Sequence, residues 1–462
     1  MVRLKQFQDV LAALLMARQL RRHDRWTRDQ LRQHQQLMLG RIVRHAASQS
    51  RFYRELYGRQ PPIDPVQLQE LPITNKRMVM DRFDDVVTDR RLSLSALQQH
   101  LNSLQEDECY LGEYRVLATT GTSGLRGLFV YDRVAWRIVL ANTIRWNEFA
   151  DIRPRWPKRV RVCTIGADNP MHVTRRIPES GNVGVFKLRH LTATQPLADL
   201  VGTLNAFAPE VLHTYPSIAA LLAEEQLAGR LEIHPRVITT HSETLTEEMI
   251  KRIETVWGTA PFNHYGLTEE PHVGCDCAAH EGLHIFEDLC LVEVLDSHDR
   301  PVEPGGLGAK YLLTNLYNRV QPLIRYEVTD LISTTDSPCS CGRPFARITR
   351  IAGRSEQALI LSTSCGGEVV IPPLALPMRL EALPDIVELE LRHAPGAVAL
   401  LIVPRAGADR EVLRAKVQAE IASLAQSFGA EAPCVSVEYC DQIERHDAHM
   451  GKLQLVRRLE ER

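Results

Sequence analysis

No stretch of this 462-residue chain is apolar for long enough to cross a bilayer. The first candidate, 10–17, is short and runs into Arg18, Arg21 and Arg22, so it reads as one face of an amphipathic helix. A secretory leader is missing as well: the amino terminus has neither a long apolar core nor a small-residue cleavage site, which leads to the expectation of a cytoplasmic protein. Excess charge of one sign is absent. Lys and Arg number 55 against 57 Asp and Glu, a formal net charge of −2. No overall field therefore draws nucleic acid or an anionic membrane, and neither is expected as a partner; an anionic ligand needs a local site. Three common catalytic signatures are lacking too: a Gly-x-Ser-x-Gly elbow, a Walker Gly-x-x-x-x-Gly-Lys, and a Gly-x-Gly-x-x-Gly at the glycine-rich stretch described below. Hydrolase, P-loop and dinucleotide readings lose their usual support. There is no internal repeat or low-complexity segment, and the balance of 44% hydrophobic to 24% charged residues suits a globular chain of two or three domains.

From Leu4 through Ile42 to Phe52, apolar residues recur at helical spacing among Arg, Gln and His, and residues 1–110 read as a mainly helical scaffold. Pro61, Pro62 and Pro65 mark a linker, and Leu71-Pro-Ile-Thr-Asn-Lys76 reads as a turn in which Thr74 caps a new helix. From Tyr114 onward short strands (115–118, 127–131, 160–165, 210–215, 236–240, 261–263) alternate with helices (132–149, 197–208, 217–227, 246–257). Alternation of this kind predicts an α/β fold with a largely parallel sheet that binds ligands at the carboxyl ends of its strands. A more β-rich section follows at 289–295 and 309–315. A boundary is expected near Gly353, giving a large domain over 1–352 and a small α+β domain over 353–462, whose pattern is strand (387–392), strand (397–403), helix (409–428), strand (434–439).

Five motifs carry chemistry. Val116-Leu-Ala-Thr-Thr-Gly-Thr-Ser-Gly-Leu-Arg-Gly-Leu-Phe129 packs Thr119, Thr120, Thr122 and Ser123 with Gly121, Gly124 and Gly127 between two apolar runs. Glycines let successive N–H groups turn toward one anion while hydroxyls add donors, which is the make-up of a phosphate cradle, and equally of an ordinary turn. In His264-Tyr-Gly-Leu-Thr-Glu-Glu270 an aromatic ring, Thr268 and Glu269 suit a base, a phosphate and a divalent cation; a strand-to-loop turn with solvated carboxylates reads the same. Pro322-Leu-Ile-Arg-Tyr-Glu-Val-Thr-Asp330 is an apolar strand ending on an acid that suits ribose hydroxyls or a turn cap. Gly353-Arg-Ser-Glu356 stands at the expected boundary, and Met450-Gly-Lys452 near the carboxyl end.

In this order and spacing the five resemble the adenylate-forming (acyl-CoA synthetase) superfamily over essentially the whole chain. Ser50-Arg-Phe-Tyr53, Leu71-Pro72, Gly282-Leu-His-Ile-Phe-Glu-Asp288, Arg325-Tyr-Glu-Val-Thr-Asp330 and Cys339-Ser-Cys-Gly-Arg343 look like its phenylacetate:CoA ligase and CapK-like branch. The resemblance implies a large domain with mixed sheets and flanking helices plus a small mobile lid. It implies activation of a small, aromatic carboxylic acid by ATP with Mg²⁺, then transfer to coenzyme A. Thr119, Thr120, Gly121, Thr122, Ser123 and Gly124 would hold the β- and γ-phosphates. Ser242, Glu243 and Thr244 would line the adenine site with His264, Tyr265 and Gly266. Thr268 would touch the α-phosphate, Glu269 its Mg²⁺, and Asp330 with Arg354 the ribose. Lys452 would bridge carboxylate and α-phosphate, and Glu356 would be the hinge. Alternatives keep the adenylation but pass the acyl group to an amine, an inorganic nitrogen nucleophile or a carrier protein, or keep only ligand binding. Two departures stand out: Leu125-Arg126 replaces the family's usual Lys-Pro after the loop glycine, leaving Arg126 as the nearest cation, and Arg445-His-Asp-Ala-His-Met-Gly451 replaces the usual Pro and Thr before Gly-Lys. Oligomeric state is open, a homodimer included.

Ten cysteines are present. Cys163, Cys365, Cys434 and Cys440 read as buried small hydrophobes. Cys275-Asp-Cys277, His280 and Cys339-Ser-Cys341 supply enough thiols and an imidazole for a tetrahedral zinc site if the segments meet, with loop cysteines or a redox pair as the other readings. Since some members of the resembled branch carry such cysteines, Cys277, His280, Cys339 and Cys341 are the expected ligands, with Cys275 as alternate. His213, His241, His272 and His284 are further histidines that would line a pocket or serve as ordinary structural residues.

Overall fold

The computed structural model describes residues 2–58, 65–119, 125–155, 157–364 and 366–459. Three helices open it: α1 (Val2–His23), α2 (Arg28–Gln49) and α3 (Arg51–Leu56). Thr27 caps α2 by a reciprocal box, its side chain accepting from Gln30 N while the Gln30 side chain accepts from Thr27 N. Ala13, Ala17 and Leu20 of α1 are buried and Leu11 and Leu15 are exposed, as an amphipathic helix requires. Three short helices follow, α4 (Lys76–Asp81), α5 (Phe83–Val86) and α6 (Leu94–Ser103). Asn75, rather than Thr74, caps α4 by accepting from Met78 N. Thr74 is engaged elsewhere: its N–H and hydroxyl donate to the carbonyls of Arg325 and Ile324. This helical region shares one continuous core with the strands beyond it, Val79, Phe83 and Leu97 packing in the same cluster as Phe129 and Tyr326.

Strands β1 (Arg115–Ala118) and β2 (Leu128–Tyr131) pair antiparallel as a separate two-stranded sheet. The glycine-rich stretch therefore joins a hairpin and is not at the end of a parallel strand as expected. Next come α7 (Arg133–Phe149), β3 (Arg161–Gly166), α8 (Val173–Gly181), β4 (Lys187–Thr192), α9 (Leu197–Phe207), β5 (Val211–Thr214), α10 (Pro216–Leu227), β6 (Val237–His241), α11 (Glu247–Trp257) and β7 (Phe262–Tyr265). These strands form the parallel half of a nine-stranded sheet. β8 (Gly274–Cys275) and β9 (Leu283–Ile285) continue it antiparallel.

β10 (Cys290–Leu295), β11 (Lys310–Asn315) and β12 (Tyr326–Val328) make a three-stranded antiparallel sheet. β13 (Asp330–Thr335) and β14 (Arg347–Arg354) then complete the large one, in the order β13-β14-β9-β8-β7-β6-β5-β3-β4. Asp330 thus begins a strand instead of ending one, because the chain crosses from the small sheet to the large sheet at Thr329. After β14 lie the hairpin β15 (Leu359–Ser362) and β16 (Glu368–Ile371), α12 (Ala375–Glu381), β17 (Ile386–Ala394), β18 (Ala397–Pro404), α13 (Arg410–Ser427), β19 (Cys434–Tyr439) and β20 (Val456–Arg458). Their sheet runs β19-β18-β17-β20, and their apolar side chains, from Leu359 to Val456, form a core of their own. Among the described residues no helix is long and apolar enough to cross a membrane.

Candidate active site

The ends of β7, β13 and β14 bring three expected residues together. Asp330 and Arg354 face each other in the β13–β14 ladder, and Arg354 Nε donates to Asp330 Oδ1 at 3.2 Å. The Tyr265 hydroxyl donates to Asp330 Oδ2 and meets Tyr311 Oη at 2.9 Å. Burial and the Asp330 charge beside it push the Tyr265 phenol well above its ordinary range, so it stays a donor. Gly266 opens a tight turn closed by Leu267 N–H donating to Glu270 O at 2.8 Å. The buried Tyr131 hydroxyl lies 2.9 and 2.8 Å from the carbonyls of Thr268 and Glu269 and fixes the turn from below. The Glu269 carboxylate accepts from Tyr326 Oη at 3.1 Å; burial raises its pKa, and the Lys76 and Arg354 charges work against that rise.

Lys452, from the far end of the chain, is buried within the electrostatic reach of Arg354 and Asp330. Gly451 holds φ +71°, a left-handed conformation that side chains resist, and a Cβ there would lie 2.8 Å from Ala193 Cβ. On either side of the lysine the backbone is pinned: Tyr215 Oη donates to Met450 O at 3.0 Å, and Leu453 N–H donates to Glu243 Oε1 at 2.7 Å. Burial, then the Arg354 cation, lower the Lys452 pKa to about 8, opposed by the carboxylates of Glu243 and Asp330. Glu243 is fully engaged: Ser217 N and Oγ donate to its Oε2 at 3.1 and 2.6 Å, and Arg445 stands 3.6 Å from its Oε1. Arg445 also donates to Glu388 of β17 and to Ser217 Oγ. Ser242, at φ +68°, places its hydroxyl 3.0 Å from His241 Nδ1, and Thr244 follows, half-buried. Glu356 lies in the single turn 355–357 just past Arg354, close enough for its charge to act on Lys76 and Arg354.

Of the expected phosphate loop, Thr120, Gly121, Thr122, Ser123 and Gly124 lie outside the described residues. Its base is visible. Thr119 N–H donates to Gly127 O, and Thr119 Oγ1 accepts from Gly127 N, both at 2.9 Å. A third partner was not read from the sequence: Lys76 Nζ donates to Thr119 Oγ1 at 3.2 Å. Its stem passes over Gly127, where a Cβ would lie 2.9 Å from Lys76 Cε. Arg126, the nearest cation in sequence, is exposed and turned to Met171 Sδ. The signal that would have found Lys76 is its place at the first turn of a helix beside the missing loop cation, but fifty residues of chain separate the two.

Tyr265 and His264 are neighbours on β7 and point to opposite sides: His264 stacks on Trp146 of α7 and meets His272 at 2.8 Å, away from the Tyr265–Asp330 group.

The thiols also converge, with one correction. Ligand atoms of Cys277, His284, Cys339 and Cys341 all lie within 4.8 Å of one another. His280 is not among them; its Nδ1 pairs with Asp276 at 2.5 Å and its ring tilts against Phe262. Cys275 is not among them either. Cys275 and His284 are partners in the β8–β9 ladder, and that register carries the His284 ring toward Cys341 Sγ, 3.2 Å away. Cys277 and Cys339 Sγ are 3.8 Å apart, too far for a disulfide and close to the spacing of about 3.8 Å that two ~2.3 Å bonds to a tetrahedral zinc demand. Of the scattered cysteines Cys163 is buried, while Cys434 is exposed and Cys440 half-buried, contrary to expectation; Cys365 lies outside the described residues.

No protein-family model matches the chain. The sequence is 33% identical over 190 residues to a phenylacetate-coenzyme A ligase of Thermus thermophilus, covering 40% of this chain and 42% of that protein. It is 32% identical over 165 residues to the phenylacetate-coenzyme A ligase of Escherichia coli, covering 34% and 37%. The matches thus span about two fifths of the curated relatives. In structure the chain is similar to 2-hydroxyisobutyryl-CoA ligase in the postadenylation state, with a TM-score of 0.70, 20% identity, and coverage of 92% of this chain and 89% of that one. Against the same ligase in the thioesterification state the TM-score is 0.59, at 19% identity and 92% and 90% coverage. The fold is that of the adenylate-forming acyl-CoA ligases.

Proposed function

We propose that this protein is an ATP-dependent ligase that activates a small carboxylic acid as an acyl-adenylate and passes the acyl group to coenzyme A. The observation that carries the reading is that Lys452, buried on its own pinned loop, lies in the field of the paired Asp330 and Arg354. In the first step a carboxylate oxygen attacks the α-phosphorus of ATP and the bond to pyrophosphate breaks. Negative charge accumulates on the phosphorus oxygens between two anions, and a fixed ammonium there is worth more in the transition state than in the ground state. Lys452 supplies it, Asp330 takes the ribose hydroxyls, Arg354 holds Asp330, Thr268 lies at the α-phosphate and Tyr265 stacks on the base. Lys76 supplies the cation at the base of the phosphate loop that Leu125 cannot. Glu269, a single half-buried carboxylate within the electrostatic reach of Lys76 and Arg354, fits a Mg²⁺ that takes its other ligands from phosphate and water. In the second step the coenzyme A thiolate attacks the acyl carbon and AMP leaves.

Residues 353–462, with a core of their own, act as the lid, and Glu356 beside Arg354 acts as the hinge. Glu243 and Arg445 belong to the latch that holds the lysine loop in the adenylating position, a reassignment of Glu243 from the adenine site. The higher TM-score to the postadenylation form supports that position. Opening the latch withdraws Lys452 and admits the thiol. The Cys277, His284, Cys339 and Cys341 group fits a structural zinc that ties the loop after β8 to the β13–β14 loop.

The test is pyrophosphate exchange into ATP with Mg²⁺ and a broad panel of carboxylic acids, followed by identification of the product with coenzyme A. Acid-dependent exchange falling about 100-fold or more in Lys452→Ala is expected. Absence of exchange across the panel refutes the reading.

A further inference from the structure

A row of imidazoles that the steps above leave unused runs from the activation site toward α7. β5, β6 and β7 each contribute one, His213, His241 and His264, and the loop after β7 adds His272. The rings are contiguous. His213 and His241 lie 4.3 Å apart between centroids, Trp146 of α7 lies 5.7 Å from His213 and stacks on His264 at 5.0 Å, and His264 and His272 are 4.9 Å apart. The near end abuts the reacting groups: the Lys452 charge acts on His241, and His241 packs on Tyr215, whose hydroxyl holds Met450 O.

Such a wall is unlike one built for a plain hydrocarbon, which takes aliphatic and aromatic side chains. Polar rings buried without partners each cost about 1–3 kcal/mol, so the row needs hydrogen-bonding company. Some of that company is internal. The Thr143 hydroxyl donates to Val139 O at 2.9 Å, so Thr143 Oγ1 accepts from His272 Nε2 at 2.8 Å. A neutral His272 then has a bare Nδ1, and this accepts from His264 Nε2. His264 is left with Nδ1 as an acceptor that has no partner among the described residues. Beside it Trp146, 6% exposed, has a buried Nε1–H with no acceptor. The row thus holds one free acceptor and, on the ring stacked against it, one buried donor without an acceptor, the pair that a hydroxyl group, which donates once and accepts once, would satisfy.

We infer that this row lines the acyl end of the site and selects a carboxylic acid that carries a hydroxyl group in addition to its carboxylate. The inference rests on the adenylating reading and narrows its substrate class, adding a hydroxyl group to the acid expected there. His264 and Trp146 are the specificity-determining residues, and His241 and His213 line the path from the carboxylate.

The experiment compares matched acids in the exchange assay: lactate with propionate, and mandelate and the three ring-hydroxylated phenylacetates with phenylacetate. For at least one pair the hydroxylated acid should have a kcat/KM tenfold or more above its deoxy partner, and that ratio should fall toward one in Trp146→Phe and in His264→Phe. An ATP-dependent rise in melting temperature reports that each variant is folded, and the wild-type ratio stands without them. A ratio of one or less in every pair overturns the inference while leaving adenylation intact. A high ratio that persists in both variants overturns the assignment to this row. No exchange with any acid overturns the adenylating reading itself.

Discussion

Replacing Lys76 by methionine keeps the stem that covers Gly127 and removes only the cation that meets Thr119. If Lys76 supplies the charge that the phosphate loop lacks, the loss falls on ATP. Two unit charges 4 Å apart near a protein surface attract by about 4 kcal/mol, and screening at this half-buried position leaves about 2–3 kcal/mol. At about 1.4 kcal/mol per decade, kcat/KM for ATP should drop roughly 30- to 160-fold. Burial already lowers the Lys76 pKa, which is the state of an ammonium with too little anionic company, and a bound polyphosphate would reverse that. Pyrophosphate exchange at varied ATP, with saturating acid, measures the loss. Arg126→Ala is the paired control, and an exposed guanidinium turned to Met171 predicts a change within about threefold. A Lys76→Met enzyme within threefold of wild type, or a 100-fold loss in Arg126→Ala, would refute the argument and return the role to Arg126.

Lys452 must be protonated to act, and its pKa is about 8, so kcat/KM for adenylation should fall tenfold per unit above that pH; a flat profile to pH 9.5 contradicts the assignment. Metal analysis of untagged protein should find about one zinc per chain, lost in Cys339→Ser/Cys341→Ser together with several degrees of melting temperature; unchanged metal content sinks the ligand set. Burial holds His172, His241 and His272 below the ordinary imidazole pKa, His272 at about 3. The unfolded chain therefore binds more protons below about pH 6.5, and stability is lost as pH falls through that point, each residue contributing about 1.4 kcal/mol per unit at most. A melting temperature equal at pH 7 and pH 5.5 would show that these rings are not held neutral.

The alternation of strands and helices from Tyr114 was legible because each element buries one face, and periodicity records that. Strands 160–165, 210–215 and 236–240 appear within a residue or two as β3, β5 and β6. β4 escapes a reading from periodicity because it is an edge strand, alternating exposed and half-buried over 187–190 with Leu191 its one buried residue and no apolar run. β20 was missed for a related reason: three residues, one buried, become a strand only by parallel pairing with β17. The turn at 71–76 shows the limit of local capping rules. Thr74 and Asn75 are both good caps in isolation, and the choice was made by Ile324 and Arg325, some 250 residues on, whose carbonyls claim Thr74.

The site divides by the same criterion. Asp330, Arg354, Tyr265 and Lys452 can be singled out in the sequence because each sits in its own short motif, so order along the chain stands in for distance in space. Lys76 and His284 lie in stretches, 71–76 and 282–288, that carry no sign of these roles, and only the fold brings them to their partners. For His284 the deciding fact is strand register. Cys275 pairs with His284 across β8–β9, so the alternating direction of side chains sends His284 to Cys341 while His280, in the connecting loop, turns to Asp276. The same alternation separates His264 from Tyr265. Adjacent residues on β7 must face opposite sides of the sheet, so Tyr265 stands with Asp330 while His264 stands with Trp146 and His272, and under the proposed function the two would serve the ribose and the acyl group respectively. A motif read as a unit assigned both to the nucleotide. The pleat of the strand turns His264 away from the Tyr265–Asp330 group, and on the inference argued above substrate choice is to be sought one residue before the tyrosine.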